Sequence, residues 1–190
     1  MDGTLTVVIG DATGHGMRAG TMVTSAKSLF NSYAANPDIL FTFREMTRCI
    51  KQMQFQSLAM SMTMLKIQNN RLIMSAAGMP PVYLFRNKHK IIEEYLIEGM
   101  PLGTMDNFPY ELKEMGLFSG DTILLMSDGF PELQNANKEM FGYKRARNSF
   151  EEVAEKEPER IITYLKEVGS RWTGDKEPDD DVTFVVIKVK

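Results

Sequence analysis

The 190 residues suffice for one well-buried core and no Pro/Gly/Ser-rich linker divides them, so residues 1–190 read as a single domain. A formal net charge of -3, with no block of like charges beyond Asp179 to Asp181, lacks the footprint of a nucleic-acid binder and sets nucleic acid aside as a partner. The single cysteine, Cys49, excludes an internal disulfide and a thiolate zinc site, no run approaches the ~18 apolar residues of a membrane segment, and the start lacks a basic-then-apolar signal pattern, so a cytoplasmic location is expected.

Met1-Asp2-Gly3-Thr4 leads almost at once into Leu5 to Ile9, a short β-branched run stopped by glycine that predicts a buried strand. An Asp-Gly step ahead of a β-run commonly joins two strands of a hairpin, so the chain reads as an N-terminally truncated piece whose partner strand has been cut off. From Met17 to about Ala35, Met22, Ala26, Leu29 and Tyr33 fall at helical spacing. Asn36-Pro37 breaks that helix, and Asp38 can cap a second whose face carries Ile39, Phe43, Met46, Ile50 and Met53. Cys49, inside this pattern, reads as a small core residue.

The period then changes. Ala59 to Ile67 alternates around Met60, Met62 and Met64, Asn69-Asn70 turns the chain, and Arg71 to Ala76 returns, which predicts a β-hairpin. Gly78-Met79-Pro80-Pro81 is a turn, Val82 to Phe85 and Ile91 to Leu96 are strands around Asn87-Lys88, and Gly99 to Gly103 closes the stretch. Tyr110 to Met115 and Thr122 to Met126 read as the next pair, with Gly120-Asp121 between them. After Gly129 no regular element is expected until a helix near Pro158, with Ile161, Leu165, Val168 and Trp172 on one face, and Val182 to Val189 ends the chain as a strand. Strands joined by hairpin-length turns, with helices grouped at front and back, predict an α+β layered fold. The 15 methionines fall mostly at core spacing and read as core filling.

Three aspartate-centred segments stand at the ends of these apolar runs: Gly10 to Gly16, Ser127-Asp128-Gly129, and Asp179 to Thr183. A lone Asp-Gly is a common turn dipeptide and an acidic triplet alone is commonly a solvated loop. Carboxylates converging from distant strand ends are also how proteins hold hard divalent cations, so an Mg²⁺ or Mn²⁺ centre is the expectation for the three together. The segment from Gly10 to Gly16 is no P-loop, because no Gly-Lys-Ser or Gly-Lys-Thr follows. His15 is open to two readings, a general acid for a leaving alkoxide or a plain side chain at a helix N-terminus.

In order, Gly10-Asp11-Ala12-Thr13-Gly14-His15-Gly16, Ala77-Gly78-Met79-Pro80-Pro81, Met100-Pro101-Leu102-Gly103, Gly120-Asp121 leading to Ser127-Asp128-Gly129, and Asp180-Asp181-Val182-Thr183 resemble the motifs of a bacterial SpoIIE/RsbU-type phosphatase domain, a branch of the PPM (PP2C-like) Ser/Thr phosphatases. The resemblance covers nearly the whole chain. It implies an αββα sandwich of two mainly antiparallel sheets flanked by helices, with a pair of Mn²⁺ or Mg²⁺ ions at one end. It implies a bridging carboxylate at Asp11, a backbone carbonyl ligand at Ala12, and further ligands at Asp128 and Asp180, with Asp181 the alternative to Asp180 because the triple Asp leaves the register open by one. It also implies a metal-activated water attacking phosphoserine or phosphothreonine on a small anti-anti-sigma-type regulator. Further implications are control by upstream sensor or receiver domains, and a switching role for the helix pair from Met17 to Lys51.

Two departures stand out. Related domains carry another aspartate on a strand before the first acidic segment, and this chain begins after it, so an incomplete metal site and weak or absent turnover are expected. Met79 stands where many relatives have histidine, a substitution expected to tune the rim of the site. The alternative function is a non-catalytic module that keeps the fold and uses the paired helices for partner binding or homodimerisation.

Overall fold

The computed structural model describes residues 3–55, 58–174 and 176–190. In chain order the elements are β1 (Leu5–Ala12), α1 (Gly16–Tyr33), α2 (Ile39–Gln52), β2 (Met60–Gln68), β3 (Arg71–Ala77), β4 (Val82–Arg86), β5 (Ile91–Tyr95), β6 (Lys113–Gly116), β7 (Thr122–Met126), α3 (Tyr143–Val153), α4 (Pro158–Thr173) and β8 (Phe184–Lys188). They fall into two compact units, one drawn from Met1–Met79 and Ile97–Gly116, the other from Pro80–Leu96 and Leu117–Lys190. Each has one antiparallel four-stranded sheet and two helices, so the α+β expectation holds.

In the first unit the sheet runs β1-β2-β3-β6. Met60, Met62 and Met64 alternate along β2, which puts all three on one face, and they form a buried cluster with Phe43, Met46 and Ile50 of α2 and Met22 and Ala26 of α1. The Asp38 side chain accepts the Phe41 N–H at 3.1 Å and starts α2 as the sequence predicts. α1 is held less firmly, since only Met22 and Ala26 are fully buried and Met17 is 89% exposed. Its C-terminal end is fixed by Lys66 of β2, whose buried Nζ donates to the Ala34 carbonyl at 2.7 Å, a cation at the negative end of a helix. Cys49 is half-buried rather than a core residue, with Sγ 4.0 Å from the Tyr33 hydroxyl.

β1 does not stop at the glycine after Ile9. It continues through Gly10 opposite Met62, Asp11 opposite Ser61 and Ala12 opposite Met60. β2 offers a full partner there, and a Cβ at residue 10 would lie 2.5 Å from Met60 Cε and 2.8 Å from the Ser61 carbonyl, so glycine is required by close approach rather than by a turn. The strand expected from Tyr110 shrinks to β6. Tyr110 turns into the core, with its ring 5.2 Å from Phe43 and its hydroxyl donating to the Met100 carbonyl at 2.7 Å.

In the second unit the order is β5-β4-β7-β8, and all five residues of β7 are buried. β6 and β7 are therefore not the hairpin pair that the sequence suggests: β6 pairs with β3, and β7 with β4 and β8. Gly120-Asp121 makes a buried anchor. Asp121, 1% exposed, accepts from Arg86 at 3.0 Å and from the backbone N–H groups of Asn87 at 3.0 Å and Phe118 at 3.1 Å. α3 occupies a stretch where no element was expected. The core here gathers Phe130, Phe141, Phe150, Ile161 and Leu165 around Leu124 and Met126.

Candidate metal centre

The acidic site of the second unit is built at the end of β7. Ser127 is the stitch between that end and the segment leading into β8. Its N–H donates to the Thr183 carbonyl at 3.1 Å, its hydroxyl donates to the Asp181 carbonyl at 2.9 Å, and the same hydroxyl accepts the Thr183 N–H at 3.0 Å. Gly129 lets the two segments touch, since a Cβ there would lie 2.4 Å from the Asp181 carbonyl oxygen. Phe130 then anchors the turn in the core, with its ring 4.8 Å from Phe184 and 5.0 Å from Phe141.

This framework brings Asp128 and Asp180 together, with carboxylate oxygens within 4.8 Å of each other. Asp128 is half-buried, and its Oδ1 is buried with no hydrogen-bond partner among the described residues. Such an oxygen costs on the order of 1–3 kcal/mol if left unsatisfied, more when charged. Asp180 is exposed, and its Oδ1 accepts the Asp181 N–H at 2.8 Å. The Asp181 backbone carbonyl accepts from the Ser127 hydroxyl. Asp179 pairs with Lys176 at 2.7 Å.

A third carboxylate, which sequence reasoning passes over, stands nearby. The Glu132 N–H donates to the Asp128 carbonyl at 3.0 Å, one turn on. Loss of solvation, and then the negative charges of Asp128 and Asp180, push the Glu132 carboxyl up from its ordinary value. The available signal was the Asp128 to Glu132 spacing in Asp-Gly-Phe-Pro-Glu, legible only once Asp128 was known to begin a helical turn.

In the first unit, Asp11 is half-buried near the end of β1, Ala12 is 6% exposed and packed into the core, and the Thr13 N–H donates to the Ala59 carbonyl at 3.0 Å. His15 is the exposed, extended residue before α1, and its side chain makes no capping bond. Met79 is buried, 6% exposed.

The oxygen-only donor set suits a hard divalent cation, and the orphaned Asp128 Oδ1 is the atom such an ion would satisfy. The family model for stage II sporulation protein E (SpoIIE) matches residues 1–190. The chain belongs to the SpoIIE family. No curated protein sequence matches this SpoIIE-family chain. Among solved structures it is similar to the SiaA-PP2C domain of Pseudomonas aeruginosa, at a TM-score of 0.84 and 18% identity, covering 100% of this chain and 81% of that one. It is also similar to the RsbU and RsbW domains of a Mycobacterium tuberculosis protein (TM-score 0.80, 23% identity, covering 99% of this chain and 52% of that one). A third is the PP2C phosphatase domain with a fragment of the regulatory domain of SpoIIE from Bacillus subtilis (TM-score 0.80, 19% identity, covering 98% and 55%). The chain spans about half the length of the latter two. At these identities the likeness establishes the PP2C fold, in a family of protein phosphatases that is generally metal-dependent.

Proposed function

We infer that this SpoIIE-family chain is a metal-dependent phosphoprotein phosphatase, removing phosphate from serine or threonine of a bacterial regulatory protein, with its two units working as one domain in the cytoplasm. The observation that carries the reading is the Asp128 and Asp180 pair, within 4.8 Å, with a buried unpartnered oxygen on Asp128. Asp128 and Asp180 would hold an Mg²⁺ or Mn²⁺ pair together with Asp11 and the backbone carbonyl of Ala12. Bound there, two such ions supply an acidified water and charge neutralisation for in-line attack on a phosphate ester.

The chain's own residues do the rest. Ser127 and Gly129 bring the Asp180 segment against the end of β7, and that buried strand holds Asp128. The negative charges of Asp128 and Asp180, which with burial push the Glu132 carboxyl up, favour a cation over a free phosphate at this end of β7. His15, exposed and without a capping bond, is available to protonate a leaving alkoxide. The substrate in this reading is a phosphorylated anti-anti-sigma-type regulator, and a sensor or receiver domain controls the activity. A second reading, partner binding or homodimerisation through α1, draws on Met17 at 89% and Val23 at 46% exposure on that helix.

Calorimetric titration with Mn²⁺, paired with release of phosphate from a phosphoserine protein, tests the reading in the full-length protein. Asp128→Asn and Asp180→Asn are expected to weaken Mn²⁺ binding at least about tenfold and to abolish hydrolysis. Asp181→Asn is expected to leave both near wild type. Metal affinity unchanged in the first two variants, or turnover insensitive to chelator, sinks the mechanism.

A further inference from the structure

A cavity of about 360 Å³ lies in the second unit between α4 and the segment that carries Asp180. Phe130, Leu133, Leu165, Val182 and Phe184 make its apolar floor. One wall is the regular helix α4, through Lys166, Gly169 and Ser170. The other is the irregular stretch from Lys176 to Pro178, which leads directly to Asp179 and Asp180. The volume falls in the range of small-molecule sites, which combine an apolar lining with few polar groups.

The charges on its rim are unequal in kind. Lys176 is paired with Asp179 at 2.7 Å, within the same loop. Lys166 has no hydrogen-bond or ion-pair partner among the described residues, and it belongs to the rigid helical wall. Glu177 also lines the cavity, on the loop side. An apolar floor beside an exposed cation carried on a regular helix matches a compact apolar body with a single anionic head.

We propose that this cavity is an effector site for a small aromatic or branched aliphatic carboxylate, and that its occupation favours the loop position in which Asp180 stands beside Asp128. The apolar body seats on Phe130, Leu133 and Val182, and the carboxylate faces Lys166. A molecule bridging both walls gains contacts only while the loop lies against α4, which is the differential interaction that a population shift requires. Two floor residues stand two positions from the acidic pair, Phe130 from Asp128 and Val182 from Asp180. The effect on cation binding rests on the phosphatase reading, whereas the cavity and the loop coupling stand without it.

The probe is 4-phenylbutyrate, compared with 4-phenylbutanol and 4-phenylbutylamine. Two readouts are independent of metal: backbone amide NMR shifts, and emission of the single tryptophan, Trp172, whose indole N–H donates to the carbonyl of the cavity residue Leu133 at 3.1 Å. Saturable binding of the carboxylate is expected, with shifts reaching Asp179 to Val182, about five- to tenfold weaker binding in Lys166→Met, and loss of binding in Ser170→Phe, which fills the cavity from an exposed helix position while far-UV circular dichroism confirms an intact fold. Mn²⁺ affinity is expected to rise about fivefold when the carboxylate is bound. No saturable binding, or amine binding as tightly as carboxylate, overturns the site. Binding that leaves the amides of Asp179 to Val182 unmoved, or leaves a measurable Mn²⁺ affinity unchanged, overturns the coupling. A protein that takes no Mn²⁺ under any condition fails the phosphatase reading instead, and the amide shifts then decide the coupling alone.

Discussion

Gly129 ties the chemistry of the site to its mechanics. The residue is needed for space, because the Asp181 carbonyl lies where a Cβ would go, at 2.4 Å. Gly129→Ala is therefore expected to cost about 1–3 kcal/mol through overpacking, measured by urea denaturation, and to weaken Mn²⁺ binding by moving Asp180 away from Asp128. An alanine variant as stable as wild type would show that the acidic segment is not held where the Ser127 bonds place it. The same neighbourhood shows what single residues reveal in a sequence. Asp128 announces itself by standing after an apolar strand and before glycine. The triple Asp does not sort itself, since the placement of Asp180 beside Asp128 follows from the Asp181 carbonyl meeting Ser127, a contact 54 residues away in sequence.

At the scale of elements, the buried Asp121 network joins the turn after β4 to the entry of β7. Arg86 reaches both Asp121 at 3.0 Å and Glu93 at 2.8 Å, and its side chain is only 12% exposed. Asp121→Ala leaves that guanidinium without one partner and two backbone N–H groups without an acceptor, so a loss of about 3–5 kcal/mol is expected in thermal or chemical unfolding. A loss under ~1 kcal/mol would mean that water replaces the carboxylate at no cost. Most elements were legible because their apolar period is long and clean, as in α2 and α4. α3 was not, because its seam is only Ala146, Ser149 and Phe150 among Lys144, Arg145, Arg147 and Glu151. β1 ran past its glycine for the opposite reason: local propensity said stop, while a full partner strand in β2 kept the ladder going. Adjacency in sequence suggests that β6 pairs with β7, yet adjacency does not specify which sheet a strand joins.

For the whole molecule, buried phenols set the alkaline limit of stability. Tyr83 is fully buried and Tyr110 is 7% exposed, and burial is the first cause pushing both hydroxyls above their ordinary value of 10.0. Above that pH the unfolded chain releases these protons and the folded one keeps them, so unfolding is progressively favoured. Stability is expected to be flat with respect to these groups below about pH 10 and to fall above it by up to about 1.4 kcal/mol per pH unit for each tyrosine. Tyr83→Phe is expected to flatten the slope in alkaline denaturation followed by circular dichroism; an unaltered slope would assign the effect elsewhere.

The chain passes between the two compact units three times, at residues 79 and 80, 96 and 97, and 116 and 117. In the second unit, β7 pairs with β4, made well before it, and with β8, the last strand in chain order. On the ribosome, Asp128 therefore emerges on a sheet with one flank still open, and Asp180 joins it only when β8 zips into place. The acidic pair thus depends on a strand made some fifty residues after Asp128, and it comes together later than the sheet that carries it.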